Sequence, residues 1–275
     1  MRFKIGASIG CYLPWAAVLP GLAMRAAIQA RFDFSQLLPL RGLWTPWGIN
    51  RRALRGLPIR YMERAWGCPE SLAKVAIDRI RHQPDCPTPV DYAFFGVHAD
   101  EIFYSLRSIY PKAWVIEHYF TPGVQLVEIH PGLWMSVEQI KATVAEYRWL
   151  NKPVSLVADL CHMREEPSAR QLARRPPQVT TNKSLLGRWG NSLPELLPDC
   201  HAIQIQPLRD GGKELAGCLK HQPTELGDML ICIKEQGGPV EDLIVEATLG
   251  LRGIDFYSLC AMLRDFRCWI AEQVS

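Results

Sequence analysis

Three acidic residues of this chain stand at or near the ends of short apolar runs. Asp159 interrupts the run VSLVADLCHM, and His162 follows it three residues later; Glu128 and Glu246 occupy similar places in VQLVEIHP and DLIVEAT. A charged carboxylate is costly to bury unless it is paired, hydrogen-bonded or bound to a metal. Each acid alone is also typical of a helix cap or a loop ion pair. Together they predict a site at which several strands end.

Alternation along a strand indicates how these acids would meet. Side chains two residues apart share a face, which pairs Leu126 with Glu128, Val157 with Asp159 and Ile244 with Glu246. Converging carboxylates repel one another unless a proton or a cation lies between them. Carboxylates with imidazole or amide groups suit manganese, magnesium, cobalt or zinc. The residues therefore predict a divalent metal site and leave the ion open.

The runs themselves predict the fold. Eight apolar runs, most of them separated by helix-length segments, read as buried parallel strands. They begin near Ile5 and at Phe32, Leu57, Ala113, Val124, Val154, His201 and Asp242. This alternation predicts an α/β fold, a single (β/α)8 TIM barrel over residues 1–275. Only FTPG separates the fourth and fifth runs, which is too short for a parallel crossover, so YAFFGVHA from Tyr92 is the alternative fourth strand.

Helices and long loops complete the predicted barrel. Apolar residues return at three- and four-residue intervals in ESLAKVAIDRIRHQ, SVEQIKATVAEYRWL and IDFYSLCAMLRDFRCWIAEQ. Two arginine-rich stretches, residues 41–56 and 164–198, are predicted as long loops, and loops of this length in a compact domain are usually functional. Active-site residues of such barrels lie at the carboxyl ends of the strands, where the three acids fall.

Composition narrows the class of protein. Hydrophobic residues make up 48% and charged residues 21% of the 275, which is ordinary for a folded globular chain. A net charge of +3 does not favour a nucleic acid partner. Nine cysteines without a CxxC pair indicate reduced thiols, and no apolar run reaches the roughly 18 to 20 residues of a membrane span. We expect a cytoplasmic protein without a membrane segment.

In order and spacing, these residues resemble a known superfamily, the xylose isomerase-like barrels, which include sugar-phosphate isomerases and epimerases and the apurinic endonucleases. LVEIHP is similar to the strand with the first metal glutamate of that family, and LVADLCHM to its Asp-x-x-His signature. LIVEAT is similar to the strand with its last glutamate, and HQPTELGDMLICIKEQG to the segment before that strand. The resemblance is clearest over residues 110–250.

The resemblance implies roles for individual residues. Glu128, Asp159 and Glu246 would be metal ligands, and His162 would bind or polarise the substrate. The family usually has a metal-binding histidine on the seventh strand, where this chain offers Gln204 or Gln206. We take Gln204 as the fourth ligand, although an amide oxygen is a weaker ligand than imidazole for a zinc-like ion. The substrate-binding residues would be His118, His130, His221, Arg164 and Arg170.

The resemblance also implies a reaction. A sugar or sugar phosphate isomerase or epimerase removes a proton next to a carbonyl, so it needs a base and a partner for the enediolate charge. Glu128 and Glu246 would take and return that proton, the metal would act as Lewis acid, and arginine would bind a phosphate. Two alternatives remain open: a non-catalytic binding barrel that has lost a metal ligand, and an apurinic-endonuclease-like metal phosphodiesterase.

Overall fold

The computed structural model of the chain describes part of it. The described residues are 3–9, 20–37, 44–45, 48–49, 56–63, 94–98, 125–129, 137–151, 154–160, 193–206, 224–236, 238–246 and 256–275.

Eight parallel strands form a closed hydrogen-bonded ring in which neighbours in the sequence are neighbours in space. They are β1 (Lys4–Ser8), β2 (Phe34–Leu37), β3 (Ile59–Glu63), β4 (Phe94–His98), β5 (Gln125–Ile129), β6 (Val154–Asp159), β7 (Cys200–Ile205) and β8 (Asp242–Val245). β8 pairs with β1 and closes the ring. Because all eight strands run in the same direction, their carboxyl ends meet at one mouth of the barrel.

The strand prediction is confirmed at seven of the eight positions, and the fourth needs correction. The predicted run from Ala113 lies outside the described residues, and the fourth place in the ring belongs to β4, which lies in the alternative run YAFFGVHA. β4 pairs with β3 on one side and with β5 on the other. The choice of the Ala113 run was therefore wrong, because the FTPG link cannot make a parallel crossover.

Helices follow several of the strands. They are α1 (Pro20–Gln29), α2 (Val137–Trp149), α3 (Leu193–Leu196) with a 3-10 turn (Leu197–Asp199), α4 (Thr224–Gln236) and α5 (Phe256–Gln273). α2 and α5 confirm two predicted helices, whereas the predicted helix from Glu70 lies outside the described residues. In the described part of the chain, no helix combines the length and the apolar character needed to cross a membrane.

The two predicted long loops contain some regular structure. Within residues 41–56, the strands Trp44–Thr45 and Gly48–Ile49 pair as an antiparallel ribbon. The stretch 164–198 reaches α3 and its 3-10 turn, where Leu193, Leu196 and Leu197 are buried. Burying each of these leucines stabilises the fold by about 1.5–3 kcal/mol.

Side chains that point into the barrel form its central core. Phe34, Tyr61, Val157, Ala202 and Ile244 pack as one buried cluster from β2, β3, β6, β7 and β8. The Phe34 and Tyr61 rings are tilted at 56° with their centroids 5.5 Å apart, a favourable aromatic geometry. The core therefore ties five strands together below the mouth.

Gly6 makes room for this packing. A Cβ atom at Gly6 would lie 2.1 Å from Cε2 and 2.3 Å from Cζ of Phe34, closer than non-bonded carbons can approach. The Phe34 ring is fully buried, so it has no open space to move into. β1 therefore needs glycine at this position because the ring of β2 lies directly against its backbone.

An ionic group lies at the opposite end of β8 from the mouth. The buried carboxylate of Asp242 accepts a hydrogen bond from the Tyr61 hydroxyl and pairs with Nη1 of Arg60 at 3.0 Å. The Arg60 guanidinium carbon also lies 5.5 Å from the centre of the Phe34 ring. Burial and the neighbouring Asp242 charge raise the pKa of Tyr61, so its hydroxyl stays protonated and acts as donor. The floor of the barrel thus compensates its own buried charge.

Two glycine substitutions should have opposite effects on stability. Gly6→Ala forces a methyl group into the Phe34 ring and should lower the free energy of unfolding by about 1–3 kcal/mol. Gly227 lies within α4, where an added Cβ atom would be 3.4 Å from its nearest neighbour, Oε1 of Gln273. Gly227→Ala should therefore raise the free energy of unfolding by up to about 1 kcal/mol. Urea unfolding followed by circular dichroism measures both; equal stability of Gly6→Ala and wild type would contradict the packing described for Phe34.

Candidate functional site

Polar side chains gather at the mouth, where four strands end. Asp159 is the last residue of β6, Gln204 lies near the end of β7, and Gln206 and Glu246 directly follow β7 and β8. Gln36 is the third residue of β2. All five side chains are buried, with exposed fractions from 0% for Asp159 to 7% for Glu246. A buried group of two acids and three amides requires internal hydrogen bonds.

The carboxylate of Glu246 is the centre of those hydrogen bonds. Its Oε1 atom accepts from Nε2 of Gln204 at 2.9 Å and from Nε2 of Gln36 at 3.5 Å. Its Oε2 atom accepts from Nε2 of Gln206 at 3.2 Å, and the same nitrogen donates to Oδ2 of Asp159 at 2.9 Å. One amide group therefore joins the two acids.

Strand register explains why these residues meet. Asp159 of β6 is in register with Gln204 of β7, and Gln204 is in register with Ile244 of β8. Beyond the strands, the backbone nitrogen of Leu160 donates to the Gln204 carbonyl at 3.0 Å, and that of Glu246 to the Ile205 carbonyl at 2.9 Å. Neighbouring residues in register share a face of a parallel sheet, so the three strands bring their polar ends to one level.

Two buried amide oxygens of this group are available to a ligand. The Glu246 carboxylate accepts charge-assisted hydrogen bonds from three amide nitrogens, and the Asp159 carboxylate accepts one from Gln206. The Oε1 atoms of Gln204 and Gln206 are buried and have no hydrogen-bond partner among the described residues. A buried amide oxygen without a partner carries a desolvation cost of about 1–3 kcal/mol. A ligand that supplies a cation or a hydroxyl group would remove that cost.

The set of donor atoms fits a hard divalent cation. By type, carboxylate and amide oxygens are ligands of hard divalent cations, although the amides of Gln204 and Gln206 turn their nitrogens, and not their oxygens, toward the acids. The described residues contain no group of three or more His, Cys, Asp and Glu placed to hold a metal ion. Among the described residues, Asp159 and Glu246 are two acids that meet at the mouth.

Other predicted site residues are described in part or not at all. The backbone of Glu128 lies in β5, in register with His98 of β4 and Val157 of β6, while its side chain lies outside the described part of the chain. The remaining predicted residues, His118, His130, His162, Arg164, Arg170 and His221, also lie outside it. Their assigned roles stay predictions.

Sequence reasoning missed two participants. Gln36 is not among the predicted site residues, and Gln206 is predicted only as an alternative to Gln204, whereas both donate to Glu246. The sequence pattern that indicates Gln36 is a polar residue within the apolar run FDFSQLLPL, two positions after Phe34. Asp159 interrupts the run VSLVADLCHM in the same way. His201, placed too early on β7 to reach the site, lies against Tyr61 with ring centroids 6.2 Å apart.

Replacing Glu246 should test this hydrogen-bonded group directly. Glu246→Gln keeps the shape but turns one acceptor into an amide donor that faces other donors, so we expect a loss of about 1–3 kcal/mol in the free energy of unfolding. Glu241→Gln is the matched control, because Glu241 is exposed and should change stability by less than about 0.5 kcal/mol. Chemical unfolding in the presence of chelator measures both. Equal losses would contradict the central place of Glu246.

Solved structures of the same architecture align with nearly all of the chain. An L-ribulose 3-epimerase matches 100% of this chain and 95% of its own, at 13% identity and a TM-score of 0.54. A D-psicose 3-epimerase crystallised in the presence of D-fructose matches 98% and 99%, at 11% identity and a TM-score of 0.57. A xylose isomerase domain-containing protein from Salmonella typhimurium LT2 matches 98% and 99%, at 11% identity and a TM-score of 0.55.

Sequence comparison adds nothing to this likeness. No family model and no curated protein matches the chain. At identities of 11–13%, the structural matches establish the architecture and not the activity. They support the barrel architecture that the resemblance implies. The chain has the fold of the xylose isomerase-like TIM barrels.

Proposed function

We propose that this protein is a divalent-cation-dependent isomerase or epimerase of a small sugar or sugar phosphate. The observation that carries the proposal is the convergence of Asp159 and Glu246 on a single amide nitrogen, at 2.9 and 3.2 Å, at the carboxyl ends of the barrel strands. Barrel enzymes place their catalytic groups at that end. Two buried acids that share one hydrogen-bond donor are placed to share a cation in its stead.

The structural neighbours support the substrate class. Two of them are an L-ribulose 3-epimerase and a D-psicose 3-epimerase, and both of these sugars are ketoses. In this chain, the buried amide oxygens of Gln204 and Gln206 offer acceptors for sugar hydroxyl groups as well as for a cation. We therefore propose a ketose, with or without a phosphate, as the substrate.

The cation would be held by Asp159, Glu246 and Gln204, with Glu128 as the proposed fourth ligand. When bound, it would supply Lewis-acid stabilisation of the negative charge that develops on the substrate oxygens. The donor set favours magnesium or manganese over zinc, because carboxylate and amide oxygens are hard ligands. We propose no other cofactor.

The proton transfers are assigned to the two glutamates. Glu246 would take the proton from the carbon next to the carbonyl, and Glu128, from the strand β5, would return it from the other side. His162 would polarise the substrate, and Arg164 or Arg170 would bind a phosphate bidentately. His118, His130 and His221 complete the proposed substrate contacts. Burial of Glu246 keeps water away from this carboxylate during the transfer.

One observation favours a second candidate, a non-catalytic binding barrel. The amides of Gln36, Gln204 and Gln206 already donate to the buried carboxylates, so the acids do not depend on an ion for compensation. Such a barrel would bind a polyhydroxylated ligand without turning it over.

We also propose that the chain is a complete (β/α)8 barrel, forming a single domain, and acts in the cytoplasm.

Metal content and proton exchange test the two candidates together. Protein purified without chelator should contain a near-stoichiometric divalent metal by mass spectrometry. The metal content of Asp159→Asn and of Glu246→Gln should be lower by about tenfold or more, whereas that of Glu241→Gln should equal the wild type. The wild type should also exchange the C3 proton of D-psicose, D-fructose or L-ribulose with deuterium, followed by NMR. Metal without exchange would favour the binding barrel; neither metal nor affinity for added manganese would contradict the proposed enzyme.

A further inference from the structure

The amide nitrogen of Gln206 is hydrogen-bonded to both acids of the site. It donates to Oδ2 of Asp159 at 2.9 Å and to Oε2 of Glu246 at 3.2 Å, and all three side chains are buried. Its amide therefore bridges the two acids. Its two N–H protons bring partial positive charge to the point at which two carboxylate oxygens converge.

A cation shared by the same two oxygens would need the same place. Metal–oxygen distances of about 2.0–2.6 Å leave no room for a nitrogen between the ligands, so the Gln206 amide must withdraw or turn before the ion can bind. We propose that Gln206 is a placeholder for the cation. It positions Asp159 and Glu246 in the metal-free protein and lowers the affinity for metal, because binding breaks two charge-assisted hydrogen bonds. This inference rests on the cation site of the proposed function.

Gln204 provides the contrast on the same strand. Its Nε2 atom donates to Glu246 alone, at 2.9 Å, and its buried Oε1 atom has no hydrogen-bond partner among the described residues. Turning the Gln204 amide would present its oxygen to a cation and would break one hydrogen bond to Glu246, but no bridge between the acids. The two glutamines, two residues apart, should affect metal affinity in opposite directions.

The buried Oε1 atom of Gln206 supplies the competing possibility. This oxygen likewise has no hydrogen-bond partner in the described part of the chain, and a rotated amide would present it to the ion. If that oxygen were a ligand that outweighs the lost hydrogen bonds, removing the amide would weaken metal binding. The sign of the change in affinity separates a placeholder from a ligand.

Titration of chelator-stripped protein with manganese(II) in a calorimeter tests the inference. Gln206→Met keeps the length of the side chain and removes the amide, so we expect manganese affinity to rise by about tenfold to hundredfold. Gln204→Met is the matched variant and should lower affinity by about tenfold. In chelator, Gln206→Met should melt at a lower temperature than the wild type and should recover more on adding manganese, which a purely structural role of Gln206 would not produce.

The outcomes separate this inference from the proposed function. Manganese binding by the wild type with unchanged or weaker binding by Gln206→Met overturns the placeholder and leaves the cation-dependent enzyme standing. Binding by Gln206→Met but not by the wild type supports the placeholder and overturns the cation-dependent enzyme. Absence of binding in both proteins overturns the placeholder, and the metal content and proton exchange of the wild type then decide the proposed function.

Discussion

Burial of two carboxylates at the mouth of a parallel barrel is the constraint on which the rest of this structure depends. Asp159 and Glu246 are 0% and 7% exposed, and an uncompensated buried charge would cost several kcal/mol. Amide nitrogens from β2 and β7 supply the compensation. Because acids and amides come from different strands, the site exists only while the register of β6, β7 and β8 is kept.

β8 shows how one strand serves two ends of the barrel. It carries Asp242 at its start, Ile244 in the middle and is followed by Glu246, three residues on one face. Asp242 is compensated by Arg60 and Tyr61, a cation and a protonated phenol that close the floor. Glu246 accepts hydrogen bonds from neutral amides, which a ligand can replace more readily than a fixed cation. The apolar layer around Ile244 keeps the two polar groups apart.

Much of the fold was open to prediction because the signals are local. An apolar run bounded by turn residues marks a buried strand, and seven of the eight barrel strands followed that rule. The fourth strand is ambiguous in the sequence, because the runs from Tyr92 and Ala113 are both apolar and only the short FTPG link favours the former. The helical turns at Leu193 were hidden inside a stretch that is otherwise rich in arginine.

The sequence by itself determined which residue types stand at the strand ends: acids after β6 and β8, glutamines at β2 and β7. It also indicated the barrel, because alternation of strands and helices is written in neighbouring residues. Only the tertiary structure decided which amide meets which carboxylate. The partners of Glu246 lie 40 to 210 residues away along the chain, and closing the ring brings them within hydrogen-bond distance. The pairing is thus set by strand register around the closed barrel, which no local pattern encodes.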